Sequence, residues 1–93
     1  MIRLNCFIKV SPARRAEALL AAIDLTEASR NDEGCVAYDI FESATIPEHL
    51  MICETWRDEE SLRRHSETEH FTRYVGLLRS ISEMHLEKMN LEK

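Results

Sequence analysis

Two hydrophobic spacings take turns along this chain, and their order leaves few folds open. Ile2, Leu4, Cys6, Ile8 and Val10 alternate with Arg3, Asn5, Phe7 and Lys9, the period-two pattern of a strand with one face in a core. Ser11 then supplies an N-cap before Pro12, which suits the first helical position, and Ala16, Leu19, Leu20 and Ile23 recur at helical spacing as far as Arg30. Asn31 to Gly34 end that helix. Cys35 to Ser43 carries Val, Tyr, Ile and Phe, Thr45 to His49 contains a turn-forming Pro, and Leu50 to Trp56 resumes the strand pattern, which predicts an antiparallel hairpin. Asp58 caps a short helix through Glu59, Glu60, Leu62 and His65, and Thr68 caps a second one in which Phe71, Tyr74, Val75 and Leu78 form an apolar stripe. Ile81 to Met89 returns to alternation. The order βαββαβ with right-handed crossovers predicts an α+β, ferredoxin-like fold: a four-stranded antiparallel sheet with its helices on one face. Residues 1–93 read as a single domain, with no linker or repeat.

A chain of 93 residues buries a small share of its surface, so leftover apolar area is expected to enter a subunit interface. Its 12 Lys plus Arg against 17 Asp plus Glu give a net charge of −5, which offers no positive field for nucleic acid or anionic lipid. Apolar runs fall far short of the ~20 residues of a membrane span, and the N-terminus alternates instead of forming a signal-peptide core, so a cytoplasmic location is expected. Cys6, Cys35 and Cys53 make neither a CxxC pair nor an even framework and read as reduced thiols, with Cys6 and Cys53 close across neighbouring strands. No metal site is expected. On one continuous helix the step from His65 to His70 turns the rings about 140° apart, and His49 and His85 lack a second ligand at useful spacing. No nucleophile elbow or glycine-rich phosphate loop is present.

If the Ile2 to Val10 set faces the helices, the other side of the first strand shows Arg3, Asn5, Phe7 and Lys9. The same side is expected to carry Ala37, Asp39 and Phe41 from the second strand and Leu50, Ile52, Glu54 and Trp56 from the third. Such a mixture is too apolar to leave in water, so a second copy is expected to pack sheet to sheet against it and enclose a cavity.

The run Ser29-Arg30-x-x-x-Gly34-Cys35-x-x-Tyr38-Asp39, the segment Glu54-x-Trp56-x-Asp58, and His65 with His70-Phe71 resemble the antibiotic biosynthesis monooxygenase family over nearly the whole chain. The resemblance is nearest to small quinol-monooxygenase-like members and to isomerases of phosphorylated autoinducers. It implies a dimeric α/β barrel and oxidation of a quinol-like or polyketide-like aromatic by O₂ with no cofactor. Related barrels degrade haem, but neither His65 nor His70 clearly matches their haem-contacting histidine, so haem is not expected. An isomerase or tautomerase of a small hydroxy-carbonyl, or a non-catalytic small-molecule-binding dimer, remains open as an alternative.

Within that frame His65 is the expected general acid/base, since an imidazole titrates near neutral pH and this one follows Trp56 closely, or else a helix-surface histidine that only caps or hydrogen-bonds. Asp39 either orients His65, acts as the base itself, or pairs with an arginine. Trp56 is an aromatic wall with one N–H or else a core anchor. Asn5 holds a substrate oxygen or an interface hydrogen bond, and Phe7, Phe41 and Ile52 line the cavity. His70 reaches the cavity mouth only if the chain kinks at Glu67 to Thr68. Glu54 is read as structural, paired with an arginine.

Overall fold

The computed structural model describes residues 1–91. Its elements are β1 (Ile2–Lys9), a 3-10 turn (Pro12–Arg14), α1 (Arg15–Ser29), β2 (Cys35–Glu42), β3 (His49–Trp56), α2 (Glu59–Ser66), α3 (Glu69–Ile81) and β4 (Glu83–Asn90). The strands lie in the order β2-β3-β1-β4 and every neighbouring pair is antiparallel, the α+β ferredoxin-like plan. Ser11 caps through its backbone carbonyl, which accepts the Arg14 N–H, and α1 proper starts three residues later than the Pro12 signal suggests. Both side-chain caps form as their sequence positions predict: Asp58 accepts the Ser61 N–H and Thr68 accepts the Phe71 N–H.

The core lies between the helices and one face of the sheet. Ile2, Leu4, Ile8 and Val10 are buried there with Leu25 of α1 and Val75 and Leu78 of α3. On α1 the buried stripe is Ala18, Ala21, Ala22, Leu25 and Ser29, whereas Leu20 is 63% exposed and Leu19 and Ile23 are half-buried. The helix is therefore rotated away from the Ala16-Leu19-Leu20-Ile23 stripe. Alanine side chains let α1 sit close to the sheet and to α3, and that close packing outweighs the larger area of the leucines.

The register corrects the expected facing of β3. Ile2 stands opposite Trp56, Leu4 opposite Glu54, Cys6 opposite Ile52 and Ile8 opposite Leu50. Directly opposed residues share a face, so Leu50, Ile52, Glu54 and Trp56 all point toward the helices. Met51, Cys53 and Thr55 take the uncovered face, where Asp39 and Phe41 stand opposite Cys53 and Met51 as expected for β2. Cys6 and Cys53 consequently lie on opposite faces of the sheet, and all three cysteines are free.

Gly34 fixes the turn between α1 and β2. Its φ of +84° lies in the left-handed region, and a methyl group at its Cα would overlap the fully buried Ser61 side chain. Its carbonyl accepts the Arg57 N–H at 2.8 Å, so the turn is tied to the end of β3 and the start of α2 at one point. Gly34→Ala combines left-handed strain with this overlap and is expected to cost at least about 2 kcal/mol. A lower midpoint of urea unfolding at unchanged slope checks it.

Candidate active site

Between the helix-side face of the sheet and helices α2 and α3 lies a cavity of about 320 Å³. Leu4, Tyr38, Ile52 and Glu54 line it at buried positions, while exposed Leu86, Lys88 and Arg79 line it toward solvent. The volume is at the small end of the range for organic ligands, and the lining is mostly apolar.

Glu54 is the one carboxylate in this lining. Strand periodicity sets it on the same face as Trp56 two residues on, and the indole Nε1–H donates to Glu54 Oε1 at 2.8 Å. No arginine pairs with it among the described residues. Burial pushes its pKa up from 4.5 to about 7, against the opposing pull of the Trp56 and Tyr38 hydrogen bonds. The Tyr38 phenol is raised as well, first by burial and then by the Glu54 charge. An acid poised near neutrality in a mostly apolar cavity can take a proton from a bound phenol or from a carbon beside a carbonyl.

Behind Glu54 the aromatic groups are stacked in depth. Trp56 is fully buried, and the His65 ring lies against it at 4.4 Å between centroids, flanked edge-on by Tyr38 at 5.7 Å and Phe71 at 5.2 Å. His65 is 1% exposed. Its Nδ1 is 2.8 Å from Asp32 Oδ2, and burial lowers its pKa although Asp32 opposes the shift. His70 Nε2 is also 2.8 Å from that same oxygen. The rings converge because the helix breaks at Glu67–Thr68, where α3 starts afresh from its Thr68 cap. The 140° separation expected on one continuous helix does not apply across that break.

His65 thus sits over the Glu54–Trp56 side of the sheet, on the helix-covered face. Asp39 is not brought to it. It projects from the uncovered face, half-exposed, with Oδ1 3.3 Å from Arg30 and accepting the Ile40 N–H. Asp32, in the turn after α1, holds the position beside His65 that the sequence reading assigned to Asp39. Asn5, Phe7 and Phe41 lie on the uncovered face too, away from the cavity, while Ile52 lines it and Trp56 backs it through Glu54. His70 contacts Asp32 and does not line this cavity. Glu54, expected on the Trp56 side of the strand as a structural residue paired with an arginine, lines the cavity with no arginine partner among the described residues, and Tyr38, which the sequence did not mark as a cavity group, stands opposite it.

Residues 1–77 match the family model for antibiotic biosynthesis monooxygenase. The chain is 40% identical over 76 residues to "Putative monooxygenase YcnE" of Bacillus subtilis (strain 168), covering 82% of this chain and 80% of that protein. Among solved structures it is similar to a Bacteroides thetaiotaomicron VPI-5482 protein of unknown function called a possible oxidoreductase, with 49% identity, a TM-score of 0.93 and coverage of 95% and 94%. It is also similar to an antibiotic biosynthesis monooxygenase at 28% identity and a TM-score of 0.91, over 100% of both chains.

The Glu54 shift fixes a sign for stability against pH. With a folded value near 7 and an ordinary value of 4.5, the folded protein keeps a proton that the unfolded chain releases between them. The stabilisation from the protonated group is complete below the lower value and is lost as pH rises through the upper one. Relative to Glu54→Gln, the wild type is expected to lose about 3 kcal/mol of unfolding free energy across that window. Parallel urea titrations at several pH values measure the difference.

Proposed function

This chain belongs to the antibiotic biosynthesis monooxygenase family, and from that premise we propose that it oxygenates a small electron-rich phenol or quinol-like aromatic with O₂. The observation that carries this reading is Glu54, a carboxyl group near pH 7 in a mostly apolar cavity. The Trp56 N–H holds one of its oxygens and Tyr38 also hydrogen-bonds the group, which orients the carboxylate that receives the substrate proton.

Removal of that proton makes the aromatic an anion that gives one electron to O₂. The resulting carbon radical and superoxide combine into a peroxide, which takes up a proton to become a hydroperoxide. Loss of water then leaves a carbonyl where a ring CH of the phenol, or the CH₂ of an anthrone, stood. The substrate supplies all four electrons; one oxygen atom enters the product and the other leaves as water. The chain's own tasks are to accept and return the proton at Glu54, to place the ring against Ile52 and Leu4, and to keep water away from the anion. His65 acts through Trp56 as a positioning residue, with Asp32 fixing its ring. The same carboxylate can also serve the isomerisation of a small hydroxy-carbonyl, which needs no O₂.

We further propose a homodimer built on the uncovered face. Phe7, Phe41 and Met89 are 40%, 49% and 40% exposed there, and Asn5 Oδ1 and Arg3 Nε are buried without a partner among the described residues. A second copy covers the apolar groups and offers partners to the polar ones.

With anthrone or 1,4-naphthalenediol as substrate, an oxygen electrode is expected to record uptake, with one O₂ used per carbonyl formed from anthrone. Glu54→Gln should lower kcat at least about 100-fold, and Trp56→Phe should move the rise of kcat/KM to higher pH, because the hydrogen bond that restrains the Glu54 pKa is gone. Turnover of a hydroxy-carbonyl under nitrogen would favour the isomerase instead. Light scattering should give about twice the 10.8 kDa chain mass, with Phe7→Asp plus Phe41→Asp returning the monomer.

A further inference from the structure

The Asp32–His65–His70 cluster is not part of the cavity lining, yet its geometry is more specific than three structural hydrogen bonds require. We infer that it is a binding site for one divalent first-row transition-metal ion, held by two imidazole nitrogens and one carboxylate oxygen. The three side chains come from three different pieces of backbone: the turn after α1, the last turn of α2 and the first turn of α3. His65 Nδ1, His70 Nε2 and an Asp32 carboxylate oxygen all lie within 4.8 Å of one another, the one such convergence among the described residues.

The spacing fits an ion. Each nitrogen is 2.8 Å from Asp32 Oδ2, and neighbouring ligands around an octahedral ion with bonds of about 2.1 Å are about 3 Å apart. The two nitrogens lie within 4.8 Å of each other, so modest side-chain rotations that draw the imidazoles together around the Asp32 oxygen suffice to admit it. Two imidazoles and a carboxylate on one side, with the remaining positions left to water, are a donor set suited to Fe²⁺, Co²⁺ or Ni²⁺. Each ring now needs a hydrogen on the nitrogen facing Asp32. On binding, a neutral ring carries that hydrogen on its other nitrogen, so two hydrogen bonds are exchanged for metal bonds and no proton need leave the protein.

A second cavity, of about 190 Å³, opens beside the cluster and is lined by Asp32, Glu33, Arg64, His65 and Thr68, which leaves room for the water ligands. Arg64 is paired with Glu33 at 3.1 Å, so its charge is largely offset and Asp32 leaves the pocket net negative. Asp32 and His70 are 15% and 22% exposed, which gives the ion a route in, whereas the buried His65 ring anchors it to the core. The site lies behind Trp56, so an ion there clamps the turn after α1 to both helices and holds His65 against the indole.

Calorimetric titration of the intact protein with CoCl₂ or NiCl₂ tests the inference independently of turnover. One ion per chain should bind at micromolar or lower concentration, raise the unfolding temperature, and with Co²⁺ broaden the His65 and His70 ring resonances. His70→Gln keeps an N–H that can reach Asp32 but removes the imidazole ligand, and should weaken binding more than about 100-fold. His85→Gln, on the other face of the sheet, and Cys35→Ser should leave binding unchanged. Absence of saturable uptake below millimolar metal, full affinity in His70→Gln, or affinity lost in either control would overturn the site. Failure of oxygen uptake with the aromatic substrates would leave these binding results untouched and bear only on the proposed oxygenation.

Discussion

The burial of the Glu54 carboxyl group is the constraint around which the rest of this structure is arranged. A carboxylate placed among Leu4, Ile52 and Tyr38 with no ion-paired cation among the described residues is unfavourable, and an apolar residue of similar size would make a more stable core. The fold limits the cost in two ways. It lets the group hold its proton up to about pH 7, and it supplies an indole N–H at 2.8 Å for the charged form. That N–H is useful only if Trp56 cannot swing away, and the His65 ring stacked against it at 4.4 Å removes the space into which it could turn. His65 is in turn anchored by Asp32. A chain of dependence therefore runs from the turn after α1 to the cavity.

Much of the fold was legible because each element announces itself locally. The β1 alternation, the Asp58 and Thr68 caps and the Phe71-Tyr74-Val75-Leu78 stripe all depend on neighbours within a few residues, and all appear where the spacing puts them. The face of β3 was not legible in the same way. Its two sets, Leu50-Ile52-Glu54-Trp56 and Met51-Cys53-Thr55, are both largely apolar, and the set containing a glutamate looks like the worse core. Only pairing with β1 decides between them, and that pairing is nonlocal. The α1 stripe failed for a related reason: composition favours the leucines, but the close approach of α1 to its neighbours selects alanine.

The site residues divide along the same line. His65 and Trp56 were readable as a unit because nine residues of strand end and short helix bring the ring back over the indole. Asp39 was attractive as an orienting acid because the cavity was expected on the uncovered face, where Asp39 does lie; the cavity and His65 are on the other face, and with Tyr38 in the core its neighbour Asp39 has to point away. Asp32 gave no periodic signal at all. It sits in a turn whose course is set by the left-handed Gly34, and a turn's direction in space follows from backbone angles that residue spacing does not encode.

The break between α2 and α3 has a consequence for both candidate sites at once. A single straight helix from Glu59 to Ile81 would carry His65 and His70 on diverging faces, and could not both cover Trp56 and lay Phe71 and Val75 against the core. Two helices, the second restarted by the Thr68 hydroxyl, satisfy both demands: α2 brings His65 onto the indole, while α3 roofs the cavity with Phe71 and Val75. Thr68 also donates to the His65 carbonyl at 2.8 Å, so one hydroxyl ends the first helix and begins the second. The aromatic stack behind Glu54 and the meeting of two imidazoles at Asp32 are thus two outcomes of one local capping event.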